Sequence, residues 1–213
     1  YPGAIVEYAF RCRNDEPFSP EMLFQINEEI DHLCTLQFTH EELKYLSGIR
    51  FLKKDFIDFL SLMKLNREHI NVILHEGKIS IKISGSWLLT ILFEVPVLAI
   101  VNEVYFRNTN PNVDFDVART LLANKIKIAK DQKFKFSDFG TRRRYSGAWQ
   151  DEVVGTLASS DTLFTGTSNV YFAMKYNLTP IGTMAHEFIM AHQQLGPRLI
   201  DSQKVALQSW VNE

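Results

Sequence analysis

Three short stretches of the chain combine a glycine with the hydroxyl, amide or cationic donors that an anion site needs. They read D-F-G-T-R-R-R at residues 138–144, G-T-S-N at residues 166–169 and G-T-M-A-H-E at residues 182–187. Arginine pairs strongly with phosphates and carboxylates, and the N–H groups at helix N-termini attract the same anions. The chemistry that these residue types favour is therefore the binding of a phosphate or carboxylate ligand.

Each stretch follows a short predicted strand and precedes a predicted helix. We predict strands over residues 133–138, 162–165 and 179–182, and helices over residues 142–157, 169–176 and 185–194. The third strand has the least support, because Pro180 interrupts so short a segment. Three βα units in series predict a parallel sheet or the start of an α/β barrel, in which ligands lie at the carboxyl ends of the strands.

The triple arginine of the first stretch has two interpretations. Arg142, Arg143 and Arg144 fall in the first turn of a predicted helix, where cations oppose the helix dipole, so a bound anion would relieve that conflict. The alternative is a solvated helix face, which charge runs usually form. Phe139, just before them, fits either a core position or a platform that stacks on an aromatic ligand.

The two later stretches also have structural alternatives. Residues 166–169 fit a glycine turn in which Ser168 or Asn169 caps the next helix, and such a cap is compatible with a ligand site. His186 fits a histidine that only makes a hydrogen bond near a helix start. A zinc-protease motif is excluded, because His192 lies six residues after His186 and off its helix face.

Composition and charge exclude several classes of function. The 213 residues are 46% hydrophobic and 23% charged, which predicts a folded core in one large or two small domains. A formal net charge of -2 lacks the basic excess of a general nucleic-acid binder. Cys12 and Cys34 fit neither a disulfide framework nor a zinc site, so we expect a reducing cytoplasm and no thiolate-bound metal. Glu94 and Pro96 interrupt the longest apolar stretch, residues 87–101, so no membrane span is expected.

The first half of the chain predicts an α+β unit. Ser19 marks a helix start, and residues 39–42 have the spacing of a capping box. Runs over residues 70–74 and 79–83 flank a turn at residues 76–78, which is the pattern of a hairpin. The other predicted elements are a strand over 5–10 and helices over 51–63, 88–107 and 113–130, with a kink or break at Pro96.

Taken in order, these stretches resemble the bacterial nicotinate phosphoribosyltransferase family. F-R-C-R at residues 10–13, F-E-V-P-V-L-A at 93–99 and T-P-I-G at 179–182 extend the similarity over nearly the whole chain. The resemblance implies a type II phosphoribosyltransferase that joins nicotinate to phosphoribosyl pyrophosphate, giving nicotinate mononucleotide and pyrophosphate with coupled ATP hydrolysis, in NAD synthesis. It also implies an N-terminal α+β domain, here residues 1–130, followed by the first βα units of an irregular α/β barrel, here residues 131–213.

The resemblance assigns substrate contacts to the first two stretches. Phe139 would stack on the pyridine ring, and Arg142 would contact phosphate groups, assisted by Arg143 and Arg144. Ser168 would lie near the nicotinate carboxylate, to which its hydroxyl can donate.

The third stretch receives the phosphoryl-transfer roles. His186 resembles the family's autophosphorylated histidine, a neutral imidazole that takes the γ-phosphoryl group of ATP. Glu187 would orient it, and Thr183 would contact substrate. The implied cofactor is Mg²⁺, with ATP as co-substrate, and the full-length protein would be a cytoplasmic homodimer with no nucleic-acid or membrane partner.

The chain departs from the family pattern at both ends. It begins at Tyr1 rather than Met and ends after a predicted helix over residues 203–211 without a capping glycine. The family's N-terminal tyrosine segment, its acidic D-S-G loop and its ribose-phosphate glycine loops are not in the sequence. We therefore expect a fragment covering about the first half of the enzyme, inactive in isolation. The alternative is a non-catalytic phosphate- or nucleotide-binding module derived from the same fold.

Overall fold

The computed structural model describes residues 3–10, 12, 16–196 and 198–212. Arg11 and Arg13 of the F-R-C-R string lie outside these residues. The chain divides into two compact units, Tyr1–Pro180 and Ile181–Glu213. The domain boundary at residue 130 stays a prediction.

A three-stranded antiparallel sheet belongs to the first unit. Its strands β1 (Ile5–Phe10), β2 (Ile70–His75) and β3 (Lys78–Ser86) lie in the order β1-β3-β2. Glu76 and Gly77 connect β2 to β3 with φ angles of 49° and 76°. Two positive φ values are what a two-residue type I′ hairpin turn requires. The predicted hairpin is confirmed, with a turn one residue shorter than expected.

Between β1 and β2 the described residues form three α-helices. They are α1 (Pro20–Leu33), α2 (His40–Ser47) and α3 (Lys54–Leu62). The Ser19 hydroxyl accepts a hydrogen bond from Met22 N–H at 3.1 Å, and Thr39 forms the predicted capping box with Glu42. Both predicted helix starts are confirmed, because each cap satisfies N–H groups that the helix itself leaves free.

The main core lies between this sheet, α1 and a later helix, α5 (Glu94–Thr109). Met22, Ile26 and Ile30 recur every four residues and give α1 one buried face. Alternate residues of β3 and three valines of α5 complete the core: Ile79, Ile81, Ile83, Val97, Val101 and Val104. On all three elements the buried residues thus recur at the spacing that places them on one face. That spacing is two residues in a strand and about 3.6 residues in a helix.

One helical run among the described residues, 87–109, is long and apolar enough to cross a membrane by length and composition alone. It comprises α4 (Trp87–Thr90), a 3₁₀ turn (Ile91–Phe93) and α5. The break expected at Pro96 lies just before it, at the 3₁₀ turn, because proline is tolerated in the first turn of a helix. Val97, Val101 and Val104 of α5 pack in the core, whereas Val95 is exposed.

The second half of the first unit contains a helix followed by two βα units. The elements are α6 (Phe115–Gln132), β4 (Phe136–Asp138), α7 (Gly147–Ser159), β5 (Phe164–Thr167) and α8 (Val170–Lys175). Strands β4 and β5 pair in parallel, as predicted, but they have only three and four residues. The third predicted strand is reduced to one bridge between Thr167 and Pro180. Proline supplies no N–H group to extend a ladder.

The second unit is helical. It contains α9 (His186–Leu195), a 3₁₀ turn (Leu199–Asp201) and α10 (Ser202–Asn212). Phe188 of α9 packs edge-on against Trp210 of α10 with ring centroids 5.7 Å apart. His192 is buried, and its Nδ1 lies 2.7 Å from the carbonyl oxygen of Phe188. His192 is therefore a core histidine of this unit.

Candidate functional site

Two of the three stretches that are predicted to bind an anion meet at the carboxyl ends of β4 and β5. Asp138 pairs with Thr167 across the parallel strands, and Ser168 N–H donates to the Asp138 carbonyl at 2.8 Å. Loop 138–144 and loop 166–169 therefore start side by side. This is the edge of a parallel sheet at which ligands are expected.

The Asp138 carboxylate organises this edge. One oxygen, Oδ1, accepts from Gly140 N–H at 2.9 Å, and Oδ2 accepts from Thr167 Oγ1 at 2.8 Å and from Gln150 Nε2 at 3.1 Å. A Cβ at Gly140 would lie 2.9 Å from Oδ1, so a larger residue there would push the Asp138 carboxylate out of place. Asp138 is thus held by three donors and serves as a scaffold for both loops.

A second link between the loops runs through Thr141. Its Oγ1 accepts from Gln150 Nε2 at 2.9 Å and from Asn169 Nδ2 at 3.1 Å. The other end of the Asn169 side chain caps α8, because Oδ1 accepts from Phe172 N–H at 3.1 Å. Of the two predicted cap residues, Asn169 is the cap, which leaves Ser168 outside that role.

The three arginines do not lie in the first turn of a helix, so the predicted helix over residues 142–157 is wrong at its start. Thr141–Arg143 form a 3₁₀ turn, and α7 begins at Gly147. The Ser146 hydroxyl caps α7 by accepting from Trp149 N–H at 3.1 Å. The conflict with the helix dipole does not arise, since the arginines precede the helix that would carry it.

The arginines differ in their surroundings. Arg142 Nη1 lies 3.1 Å from Glu94 Oε1 at the start of α5, with both side chains partly exposed. Arg144 is more buried, and its Nε donates to Glu103 Oε1 at 2.5 Å. Arg143 is exposed, and in the described part of the chain no ion pair or hydrogen bond involves its guanidinium. Arg142 and Arg143 are therefore accessible to a ligand, whereas Arg144 connects this loop to α5.

Phe139 projects from the same loop and is 49% exposed. Of its two interpretations, the core position is therefore excluded. A half-exposed ring on a loop that carries two exposed cations and starts next to a loop with a hydroxyl can stack on an aromatic ligand, and the polar groups can bind the substituents of that ligand. Ser168, partly buried at the start of the neighbouring loop, is such a hydroxyl.

The third loop belongs to the second unit. Thr183 and His186 are exposed, and His186 is the first residue of α9, after Ala185 as N-cap. Glu187 follows in the first turn and is partly buried. The predicted helix over residues 185–194 is confirmed, and an exposed imidazole at its start is open to reaction.

Among the residues that hold the first loop, Gln150, Glu94 and Glu103 were not singled out from the sequence. A signal existed for Gln150, because it shares the buried face of α7 with Val154 and Leu157 at helical spacing. A polar residue on an apolar face must have partners inside the fold. The two glutamates gave a weaker signal, as isolated charges in or beside an apolar run.

Two family models cover most of the chain. The model of the nicotinate phosphoribosyltransferase (NAPRTase) N-terminal domain matches residues 1–102, and that of the nicotinate phosphoribosyltransferase (NAPRTase) family matches residues 134–213. The chain belongs to the nicotinate phosphoribosyltransferase family. Family membership agrees with the resemblance carried by the motif strings.

Individual members of the family match over the whole chain. The nicotinate phosphoribosyltransferase of Ralstonia pickettii is 49% identical over 100% of this chain and 57% of its own length. That of Acidovorax sp. is 50% identical over 100% of this chain and 57% of its own length. The chain thus spans a little over half the length of the curated relatives that it matches.

Solved structures of the nicotinate phosphoribosyltransferase family share the fold. The enzyme from Porphyromonas gingivalis superimposes with a TM-score of 0.94 at 29% identity, over 99% of this chain and 55% of that one. The enzyme from Vibrio cholerae gives a TM-score of 0.91 at 35% identity, over 100% of this chain and 52% of that one. The predicted fold class, an α+β N-terminal domain followed by the first βα units of an irregular barrel, is confirmed.

Proposed function

We propose that this chain carries the nicotinate and phosphate sites of a nicotinate phosphoribosyltransferase. The enzyme would join nicotinate to phosphoribosyl pyrophosphate, with coupled ATP hydrolysis, and release nicotinate mononucleotide and pyrophosphate in NAD salvage. One observation carries the proposal. Loops 138–144 and 166–169 meet at the carboxyl edge of β4 and β5 and offer a half-exposed ring, two accessible guanidiniums and a hydroxyl.

Nicotinate would bind to Phe139 and Ser168. The pyridine ring would stack on Phe139, and the Ser168 hydroxyl would donate to the carboxylate. An acidic side chain in place of Ser168 would repel that carboxylate. The arrangement therefore favours the acid over its amide.

The phosphate groups would bind to Arg142 and Arg143. Arg143 is accessible, and the Arg142 pair with Glu94 is partly exposed, so its contribution to stability is about 0–1 kcal/mol. A phosphate can form shorter, bidentate charge-assisted bonds with a guanidinium. Arg142 would accordingly exchange its carboxylate partner for phosphate, with Arg143 as the second cation.

His186 would accept the γ-phosphoryl group of ATP. The neutral imidazole would attack phosphorus, the bond to the β-phosphate oxygen would break, and ADP would leave. The N–H groups of the first turn of α9 favour the phosphate dianion on that ring. Glu187 would orient the imidazole, and Thr183 would contact the nucleotide.

Mg²⁺ would reach this site with the polyphosphate substrates. Within the described ranges no three His, Cys, Asp or Glu side chains form a group that could hold a metal ion. Mg²⁺ is commonly bound through substrate phosphates and one or two carboxylates, so the chain's residues fit a substrate-borne ion rather than a closed cage. A cytoplasmic homodimer, free of nucleic acid and membrane partners, belongs to the same proposal.

A chimera tests the function. It joins this chain to the residues of the Ralstonia pickettii relative that lie outside the match, and product formation from nicotinate, phosphoribosyl pyrophosphate, ATP and Mg²⁺ is measured. We expect turnover, and we expect Phe139→Ala to raise the KM for nicotinate about tenfold. Phe51→Ala, which removes an exposed ring on the N-terminal side of the chain, is the matched control. Binding of phosphate ligands without turnover in the chimera would instead identify a non-catalytic module.

A further inference from the structure

We propose that Gln150 is a positioning residue, whose buried amide fixes loop 138–144 relative to loop 166–169. The consequence for ligand binding rests on the proposed function, whereas the effect on the two loops does not. Gln150 lies on α7, in neither loop, and it contacts no proposed substrate group.

Both ends of the Gln150 amide have hydrogen-bond partners. The residue is 5% exposed, and Nε2 donates to Asp138 Oδ2 at 3.1 Å and to Thr141 Oγ1 at 2.9 Å. Oε1 accepts from Arg144 Nη1 at 3.4 Å. All three partners belong to loop 138–144, so one side chain holds this loop at its start, middle and end.

The two oxygens that accept from Gln150 also accept from the second loop. Thr167 Oγ1 donates to Asp138 Oδ2 at 2.8 Å, and Asn169 Nδ2 donates to Thr141 Oγ1 at 3.1 Å. Each oxygen is therefore hydrogen-bonded both to α7 and to loop 166–169. If the Gln150 amide were lost, both oxygens would be free to move, and the second loop would lose its fixed acceptors.

Chemistry explains why glutamine occupies this position. A glutamate would direct an oxygen at Asp138 Oδ2, where two acceptors would face each other and two negative charges would repel. A leucine would fill the space but leave the partly buried Asp138 carboxylate short of one donor. Neither can hold Asp138 and Thr141 together.

Exchanging the two groups should restore the network. In the double variant Asp138→Asn with Gln150→Glu, the new amide donates to the new carboxylate, and its oxygen still accepts from Gly140 N–H. The Thr141 hydroxyl can turn to donate to that carboxylate, and Arg144 donates to it as before. The Thr167 hydroxyl, which donates to Asp138 Oδ2 in the wild type, would accept from the new amide instead. Each side chain of the network then has a hydrogen-bond partner again.

The experiment follows amide hydrogen exchange by NMR in the 213-residue chain. Gly140 N–H reports on the first loop and Asn169 N–H, which donates to Thr167 Oγ1, on the second. We expect Gln150→Glu and Gln150→Leu to accelerate both about tenfold and to leave Ile81, buried in β3, unchanged. The double variant should return both rates to within about twofold of wild type. Gln132→Glu, the same change at an exposed position, is the control.

Unchanged rates at Gly140 and Asn169 in both single variants would overturn the proposal. If Gln150→Glu unfolds the chain, Ile81 also loses protection, and the double variant then decides. Recovery of Ile81 and both loops supports the positioning role, and failure of the loops to recover contradicts it.

Titration of the same samples with pyrophosphate separates the two proposals. We expect about tenfold weaker binding in Gln150→Glu and recovery in the double variant. If the wild-type chain binds no pyrophosphate, the proposed phosphate site fails, while the exchange rates still decide the role of Gln150.

Discussion

Arg142 Nη1 lies 3.1 Å from Glu94 Oε1, so the principal phosphate-binding candidate is paired with a carboxylate 48 positions earlier in the chain. The two side chains are 46% and 36% exposed. A pair this exposed is weak and screened by solvent, and a phosphate can displace the carboxylate. Glu94 thus sets how much of the Arg142 charge a ligand meets.

Removing the charge of Glu94 should strengthen phosphate binding. Glu94→Gln frees Arg142 from a competing anion, and the gain is at most about fivefold in affinity, since an exposed pair contributes up to about 1 kcal/mol. The measurement is calorimetric titration of pyrophosphate into the variant and the wild type. Glu41→Gln, an exposed change on α2, controls for net charge. Weaker binding in Glu94→Gln would contradict the competition.

Arg142 and Arg144 should separate binding from stability. In the chimera, Arg142→Ala should raise the KM for phosphoribosyl pyrophosphate at least about tenfold with little change in unfolding free energy. Arg144→Ala should cost about 1–3 kcal/mol of stability in urea, because it removes the cation from the partly buried Glu103 carboxylate, which keeps only the neutral Gly147 N–H as a described donor. Equal effects of the two changes on stability would show that this division is wrong.

The chimera should become labelled by γ-labelled ATP, and the label should depend on His186. A nitrogen–phosphorus bond is labile in acid and stable in alkali, so the label should be lost on acid treatment. His186→Ala should abolish labelling and ATP stimulation while leaving ATP-independent transfer. His40→Ala is a close control, since His40 is also an exposed first residue of a helix. Label that persists in His186→Ala would assign phosphorylation to another residue.

The two cysteines should react with thiol reagents at different rates. Burial raises the pKa of the Cys34 thiol, and Arg67 opposes this only in part. A raised pKa leaves less thiolate at a given pH, so modification of Cys34 should be slow near pH 8 and accelerate as the pH rises. Cys12 is exposed and should account for the fast phase. Cys12→Ser should remove that phase, and a single fast phase in this variant would refute the assignment.

Local signals explain what the sequence predicted well. The caps at Ser19 and Thr39 and the hairpin turn at Glu76-Gly77 depend only on residues close by in the sequence. Each forms at the position that the sequence predicts. The start of α7 was misplaced because the basic run at residues 142–144 was included in the helix, although Ser146 offered a cap just after it.

Long-range contacts explain what the sequence could not provide. The bounds of β4 and β5 depend on how the two strands pair, which their own composition does not determine. The partners of Arg142 and Arg144 lie on α5, 48 and 41 positions away, where no spacing rule applies. Phe139, Arg142 and Ser168 stay predictions from the motif strings and the family resemblance, whereas the network that holds their loops is visible only in the fold.

The apolar run at residues 87–109 has a consequence for synthesis on the ribosome. Its core partners, α1 and strands β1 to β3, all precede it in the chain, so they have already emerged when the run leaves the exit tunnel. The newly made helix can dock at once on a surface prepared to receive it. A polypeptide starting after β3 would lack these packing partners. Its apolar run would stay exposed, as a substrate for chaperones or for membrane insertion.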